Sequence, residues 1–473
     1  MTSASTSPFH LAPLGDAPEL CRMGAATLTD GFRSGAFSPV EATQAALDRA
    51  EAINPRFNAF VSIDAGGALE AARQSEARWH RAEPLSPIDG VPTTLKDIVS
   101  VAGWTVRYGS TTTDSTARCP ADAPAVARLR AAGAVFLGLT TVPEFGWKAV
   151  TDNPLYGIAR NPWDASRTPG GSSGGAAIAA ATGAGVLHLG TDGGGSIRVP
   201  ASFTGIAGLK PTFGRVPAHP LSAFGTVAHL GPMGRSVDDI AAMLVAMSGR
   251  DIADWSQGPG DLGSCAPVEE NIAGAKIGYW SKPPSGAVDP EIAALVLATV
   301  RRLEALGAHV EAIDLPGEDH LAIFDTLWSV GAAVRLDGID AGRLGKVDPR
   351  LRALAALGGS RSGPDLALAQ VRRAAFGEAM DRLLTRYDFL VSPATAVAAF
   401  EAGAEFPAGS GGAWWTQWAG FSYPINLTQQ PAASIPCGLT GSGLPVGLQI
   451  VGARGADGRV LGFARAVEAM LRE

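Results

Sequence analysis

The residues with the clearest chemical meaning are a serine and the three glycines that precede it. Residues 190–201 read GTDGGGSIRVPA, so Gly193, Gly194 and Gly195 lead directly into Ser196. A glycine turn leaves backbone N–H groups free to converge on one point, which is what stabilisation of an oxyanion during acyl transfer requires. Ser196 is therefore a candidate nucleophile, although a tight glycine turn without catalysis has the same sequence.

A second glycine-rich segment, RTPGGSSGG at 167–175, contains Ser172 and Ser173. A phosphate-binding Walker A loop is excluded because no Gly-Lys-Ser/Thr follows. Residues 170–174 also fit G-x-S-x-G, the nucleophile elbow of α/β-hydrolases, whose histidine base comes late in the chain. No histidine follows His320, so this alternative lacks its partner.

A lysine in an apolar stretch is the third candidate. Lys96 lies in GVPTTLKDI at 90–98, and burial of a lysine favours its neutral form and lowers its pKa. A neutral lysine can act as a base near neutral pH without help from histidine. The alternative is a structural ion pair, for which Asp97 is the adjacent acid.

Taken together, the three segments resemble the amidase signature family, and the resemblance extends over most of the chain. Further segments of the chain also look like the family. They are EFGWK and RNPWD within 144–164, GLKPTFGRV at 208–216, PINLTQQPAASIPCG at 424–438 and GLPVGLQIVG at 443–452.

The resemblance implies a Ser–cis-Ser–Lys triad and a fold. Lys96 would be the base, Ser172 the bridging serine after a cis peptide bond, and Ser196 the nucleophile. The resemblance also implies that three backbone N–H groups form the oxyanion hole and that three side chains support the loops. The N–H groups are those of Gly193, Gly194 and Gly195, and the supporting residues are Ser173, Asp192 and Arg198. The implied fold is a single α/β domain with a mixed β-sheet sandwiched between α-helices.

Local patterns predict the same fold class. Ser38 and Glu41 form a capping box that starts a helix, and Asn54-Pro55 is predicted to end it. A helix beginning near Pro124 leads into a strand at 134–139. The strand 276–280, a helix from Pro290 and the strand 309–315 form a βαβ unit, which places the two strands in parallel.

We expect one domain over residues 1–473, with no linker between independent units. Within it, about 1–75 is an N-terminal helical region, and about 76–240 is the signature core that carries the triad. About 250–400 is a more variable helical and βαβ region, and about 420–473 returns to the core. Residues 256–264 and 409–412 are predicted to be loops because they are rich in glycine, serine or proline.

Composition limits the kinds of binding partner and the cellular compartment that we expect for this protein. The net charge is −7, and the lysines and arginines are scattered, so we expect no nucleic-acid partner. No apolar run is long enough to span a bilayer, and the first residues lack a signal-peptide pattern. The four cysteines show no metal-binding spacing, which favours reduced thiols in a cytoplasmic protein without metal or cofactor.

The predicted activity is amide hydrolysis through a Ser196 acyl-enzyme, which yields an acid and ammonia or an amine. One alternative is the glutamine-hydrolysing subunit of a tRNA-dependent amidotransferase, although the REGFG-like segment typical of that subunit is missing. The residues 226–229 also replace a Ser-Leu-Asp segment common in the family. A urea- or carbamate-cleaving hydrolase, an esterase side activity and a non-catalytic binding protein are further alternatives.

Aromatic residues outside the triad segments suggest a substrate pocket. On this hypothesis the pocket prefers bulky or aromatic amides over small charged ones, and no acidic or basic cluster is evident for a charged substrate. The same rings could instead pack in the core or at a subunit contact. Homodimerisation is implied by the family alone. The predicted pocket residues are Phe145, Trp147, Trp414 and Trp418.

Overall fold

The computed structural model describes residues 13–258, 260, 262–409 and 414–473. Most of the N-terminal segment that lacks a signal-peptide pattern lies outside these residues, as do the loop residues 259, 261 and 410–412. The helices are α1 (Glu19–Arg22), α2 (Ala25–Ser34), α3 (Pro39–Phe57), α4 (Ala65–His80), α5 (Pro124–Ala131), α6 (Gly174–Thr182), α7 (Arg198–Thr204), α8 (Val237–Met247), α9 (Pro290–Ala305), α10 (His320–Asp337), α11 (Ala341–Leu344), α12 (Pro349–Gly359), α13 (Gly363–Leu383), α14 (Tyr423–Thr428) and α15 (Asp457–Arg472).

One large mixed sheet organises the domain, which confirms the predicted α/β class. Eleven strands pair in the order β1-β3-β2-β6-β8-β7-β12-β13-β11-β9-β10, and β4 and β5 form a separate pair. The strands are β1 (Phe60–Ile63), β2 (Pro92–Lys96), β3 (Val135–Thr140), β4 (Asp152–Asn153), β5 (Gly157–Ile158), β6 (Leu187–Asp192), β7 (Ala207–Lys210), β8 (His229–Gly234), β9 (Lys276–Trp280), β10 (His309–Ile313), β11 (Phe389–Pro393), β12 (Ala432–Leu439) and β13 (Pro445–Val451).

The predicted start of α3 is confirmed, whereas its predicted end is wrong. The Glu41 N–H donates to Ser38 Oγ, and the Ser38 N–H donates to the Glu41 carboxylate. Pro55 does not stop the helix, which continues to Phe57. A proline in the last turn removes only one backbone donor and therefore does not stop the helix. The helix ends at Asn58, which adopts the left-handed conformation with φ of 55°.

Both predicted helix-to-strand connections are present. Helix α5 leads into β3, which pairs in parallel with β2. Strand β9, helix α9 and strand β10 form the βαβ unit, and β9 and β10 are parallel. The helices cover the sheet through their apolar faces, and in the described part of the chain none is both long and apolar enough to cross a membrane.

The sheet brings the candidate residues to one edge. Strands β2 and β6 are parallel neighbours, and they end at Lys96 and Asp192 respectively. Carboxyl ends of adjacent parallel strands meet at the same edge of a sheet, which is where α/β proteins place their ligands. Ser172 lies in the loop before α6, and Ser196 lies in the loop between β6 and α7.

Candidate active site

Lys96 is fully buried, and its amine is surrounded by hydroxyl groups. The Nζ atom lies 2.7 Å from both Ser172 Oγ and Ser173 Oγ, and 2.8 Å from Thr191 Oγ1. The neighbouring Asp97 is not its partner, because that carboxylate accepts hydrogen bonds from the backbone N–H groups of Arg107 and Gly109. The ion-pair alternative for Lys96 is therefore wrong.

The surroundings of Lys96 favour an uncharged amine. Burial lowers its pKa well below the usual 10.5, and the negative charge of Asp192 offsets this only in part. Loss of a proton from the ammonium group leaves two N–H donors and one lone pair. The three hydroxyl groups around Nζ match these two donors and one acceptor. Two of the hydroxyls can accept hydrogen bonds from the N–H groups, and the third can donate its proton to the lone pair.

Ser172 follows a cis peptide bond from Gly171, the geometry that the family resemblance implies. The backbone is tightly packed at this point, since a Cβ atom on Gly171 would lie 2.5 Å from the carbonyl oxygen of Val150. A side chain is therefore excluded at position 171. Ser172 is buried and borders a cavity.

Ser196 borders the same cavity as Ser172, with 7% of its surface exposed. Its carbonyl oxygen accepts a hydrogen bond of 3.1 Å from the N–H of Ser173, which ties the two serine-bearing loops together. Within the described residues, no hydrogen bond joins the Ser172 and Ser196 hydroxyls. The Ser196 hydroxyl is therefore free to point into the cavity.

The three glycines before Ser196 are not equivalent, which corrects the expectation that all three N–H groups serve an oxyanion. The Gly195 N–H donates to Asp192 Oδ1 at 2.7 Å and is already used. Gly195 has a φ of 127°, and a Cβ atom there would lie 2.4 Å from Ser422 Oγ. The N–H groups of Gly193 and Gly194, like that of Ser196, have no acceptor among the described residues, so they are available donors.

A buried ion pair holds the glycine turn in place. Asp192 and Arg198 are both fully buried, and Arg198 Nη2 lies 2.9 Å from Asp192 Oδ1. The guanidinium also donates to Asn426 Oδ1, Gln449 Oε1 and the Ser422 carbonyl. Burial alone would raise the pKa of Asp192, but the positive charge of Arg198 outweighs it and holds the pKa well below its usual range.

Replacement of Arg198 by methionine is expected to lower the free energy of unfolding by about 3–5 kcal/mol, because Asp192 is left as an unpaired buried charge. Urea unfolding measures this. The matched control is Arg465→Met, which removes the exposed Arg465–Asp238 pair and should cost less than about 1 kcal/mol. Equal losses in the two variants would contradict the supporting role of Arg198.

The cavity in front of Ser196 has a volume of about 180 Å³ and is lined mostly by apolar side chains. Arg335 is the only lysine or arginine that borders it, and no aspartate or glutamate does so in the described part of the chain. His229 borders it as well, and burial lowers the pKa of that imidazole well below 6.5. The described residues contain no group of three or more His, Cys, Asp or Glu that could hold a metal ion.

Only one of the four predicted pocket aromatics borders this cavity. Phe145 does so, whereas Trp147, Trp414 and Trp418 do not. Trp147 and Trp414 contact each other edge to face, and Trp418 stacks on Phe203, so these rings belong to the core. The prediction was wrong for the three tryptophans because the sequence alone does not show whether an aromatic ring faces the cavity or the hydrophobic core.

Several site residues were missed by the sequence analysis. Thr191 directly precedes Asp192 in the glycine motif. Its position next to a predicted supporting residue could have identified it as a site residue. One of the cavity aromatics beyond Phe145, Phe213, lies in the family-like segment 208–216, and the others lie in loops and in α10 outside the quoted segments; no local pattern marks any of these rings as facing the cavity. They are Tyr108, Phe213, Phe224 and Trp328.

Comparison with known proteins shows the family to which the chain belongs. A sequence model of the Amidase family matches residues 41–461, which is most of the chain. The chain belongs to the amidase signature family. This amidase is therefore a hydrolase that cleaves amide bonds, and the predicted family, enzyme class and fold are confirmed.

This amidase is similar to proteins of more than one kind. It is 36% identical over 461 residues to an acylamidase from Rhodococcus erythropolis, with 95% of each chain covered. It is 32% identical over 480 residues to one subunit of the glutamyl-tRNA(Gln) amidotransferase of Symbiobacterium thermophilum, covering 94% of this chain and 96% of that one. Its structure is similar to that of a bacterial aryl acylamidase, with a TM-score of 0.86, 28% identity, and 95% and 96% of the two chains covered.

Proposed function

We propose that this amidase hydrolyses its substrates through a covalent acyl-enzyme on Ser196, with Lys96 as base and Ser172 as the proton relay. The proposal rests on one observation above all. A buried lysine whose pKa is lowered by burial lies 2.7 Å from a serine hydroxyl that borders the same cavity as Ser196. A serine becomes a good nucleophile only when such a base removes its proton.

The proton path follows from the hydrogen-bonding capacity of neutral Lys96. Its two N–H groups donate to Ser173 and Thr191, and its lone pair accepts the Ser172 proton. Ser172 in turn accepts the proton of Ser196 as the Ser196 oxygen attacks the amide carbon. Hydrogen bonds of this kind are often not yet formed in unliganded sites and form when the substrate binds.

The negative charge that develops on the amide oxygen needs donors already in place. The N–H groups of Gly193 and Gly194 are available for this, and Asp192 and Arg198 hold the turn that carries them. Lys96 then returns the proton through Ser172 to the departing amine, which breaks the C–N bond. Water then attacks the acyl-enzyme while its proton passes through Ser172 to Lys96. The proton returns by the same path to Ser196, and the acid is released.

We further propose that the substrates are aryl or bulky acyl amides. The cavity is bordered by aromatic rings that include Phe145, Phe224 and Trp328. Its volume of about 180 Å³ exceeds the ~150 Å³ of a cavity known to hold benzene. The similarity to an acylamidase and an aryl acylamidase supports the same substrate class.

The second candidate function is that of a glutamine-hydrolysing amidotransferase subunit, which is favoured by relatives with 32–35% identity. Free glutamine carries an ammonium group beside its carboxylate. No aspartate or glutamate in the described part of the chain borders the cavity to pair with that ammonium group. We therefore rank this function below the free-standing amidase, and a urea or carbamate hydrolase remains a variant of the same chemistry.

A panel of amides tests the proposed function. We expect kcat/KM for acetanilide or benzamide to exceed that for acetamide by at least about 10-fold, because burial of a ring in an apolar pocket is worth roughly 1.5–3 kcal/mol. Release of amine or ammonia is the readout, and Ser196→Ala is the control. Faster turnover of acetamide would contradict the substrate class, and turnover of glutamine alone would favour the amidotransferase function.

We also propose a cytoplasmic location. It is supported by four free cysteines, none of which forms a disulfide, since reduced thiols are typical of a reducing compartment. Homodimerisation, which the family resemblance implies, stays a prediction.

A further inference from the structure

Arg335 brings a positive charge to the cavity that contains Ser196. It extends from α10, and its guanidinium lies against the neighbouring rings of Tyr108 and Phe145, with centroid distances of 4.4 and 4.3 Å. Cation–π contacts of this kind stabilise the positive charge of the guanidinium. The N–H groups around its edge are left available.

The charge of Arg335 has no anionic partner among the described residues. No carboxylate lies within ion-pair distance, and none of its N–H groups donates a hydrogen bond to the described part of the chain. The buried Arg198 and Arg215 have ion-pair partners, Asp192 and Asp457. The buried Arg235 and Arg373 donate hydrogen bonds to backbone carbonyls, whereas Arg335 has neither kind of partner among the described residues. A half-buried cation without an anion is costly, so an unpaired arginine at a substrate cavity calls for a ligand.

We infer that Arg335 forms a carboxylate subsite, so that the preferred substrates carry a carboxylate group at a distance from the amide that is cleaved. This inference rests on the proposed function of the cavity. The guanidinium edge matches a carboxylate with two parallel hydrogen bonds. Since no acidic side chain in the described part of the chain borders the cavity, an anionic substrate meets one positive charge and no opposing negative charge.

One substrate can reach both Arg335 and the reacting serines. Phe145, which packs against Arg335, is followed by Gly146, and a Cβ atom on Gly146 would lie 3.5 Å from Ser172 Oγ. The part of the cavity lining that contacts the guanidinium is thus adjacent to the part that contacts Ser172. A carboxylate separated from the amide by a ring or a short chain fits this arrangement.

Paired substrates test the subsite. One pair is 4-acetamidobenzoate and 4-nitroacetanilide, in which a carboxylate and a neutral nitro group of similar shape are compared on the amine side. The other pair is glutaric acid monoanilide and hexananilide, which compares an acyl chain with and without the charge. We expect Arg335→Met to lower the ratio of kcat/KM, anionic over neutral, by about 10- to 100-fold in at least one pair.

Two further variants separate charge from shape. Arg335→Lys should lose part of the preference, because it keeps the charge without the two-pronged edge. Arg352→Met, at an exposed arginine on α12 that does not border the cavity, should keep the wild-type ratio. Ratios for Arg335→Met within about 2-fold of wild type in both pairs would overturn the inference.

The inference can also be tested if no amide is hydrolysed, which separates its failure from that of the proposed function. Calorimetry measures the Kd of 4-acetamidobenzoate and of glutaric acid monoanilide for the Ser196→Ala protein with and without Arg335→Met. At least 10-fold weaker binding of one of them in the double variant supports the subsite. Equal Kd values for both ligands in folded proteins of the same melting temperature would overturn it.

Discussion

Ser196→Ala is expected to lower kcat/KM for an aryl amide by about 10⁴- to 10⁶-fold, the usual consequence of removing the nucleophile of a hydrolase that forms an acyl-enzyme. The loss arises because the variant lacks the hydroxyl on which the proposed acyl-enzyme forms. Initial rates of aniline release at substrate concentrations below KM measure it.

The Ser196→Ala protein should fold as the wild type does. The backbone carbonyl of Ser196 keeps its hydrogen bond with the Ser173 N–H, and the lost hydroxyl has no partner among the described residues. We therefore expect melting temperatures that agree within about 2 °C, given the small effect of such substitutions. Retention of more than about a tenth of the activity would contradict the nucleophile assignment.

Lys96→Met is expected to lower kcat by about 10²- to 10⁴-fold, because the variant fills the space of the lysine stem but cannot accept a proton. The methionine also leaves the Ser172, Ser173 and Thr191 hydroxyls without the amine that they now contact. Rates from Ser196→Ala and from the Ser196→Ala, Lys96→Met double variant are compared. Equal losses in the two are expected if both residues act in one step.

The pH profile gives Lys96 a second, independent test. Only neutral Lys96 accepts a proton, and burial lowers its pKa well below 10.5. In the wild type, kcat/KM should therefore rise with pH through the pKa of Lys96 and fall as the pH drops below it, with full activity reached well before pH 10.5. A profile that rises only near the pKa of an exposed lysine would contradict the buried neutral base.

Much of the candidate site could be predicted from the sequence because its parts are local. Ser196 and its glycines form one turn, and Ser172 with Ser173 forms another, so short motifs contain the backbone as well as the side chains. The fold class was equally accessible, since the helix beginning at Pro290 and its flanking strands have clear boundaries. The approach of Lys96 to Ser172 joins residues that are 76 positions apart, for which the family resemblance was the only guide.

Other features depend on packing that no short motif encodes. The expectation for Gly195 failed because its N–H donates to the side chain of Asp192, a contact that spacing alone does not reveal. The tryptophans at 147, 414 and 418 face the core, whereas Trp328 on α10 borders the cavity. Arg335 looked like one of many scattered arginines, and only the structure places it against two aromatic rings at the cavity.

The most direct test of the Ser196 mechanism is active-site labelling with an alkyl fluorophosphonate, followed by mass spectrometry of the digested protein. We predict that one equivalent abolishes hydrolysis of acetanilide and that the added mass lies on the peptide at Ser196, with no label on that peptide in Ser196→Ala. Loss of activity accompanied by labelling of Ser172 or Ser173 instead, or full activity of a protein labelled at Ser196, would contradict the acyl-enzyme mechanism.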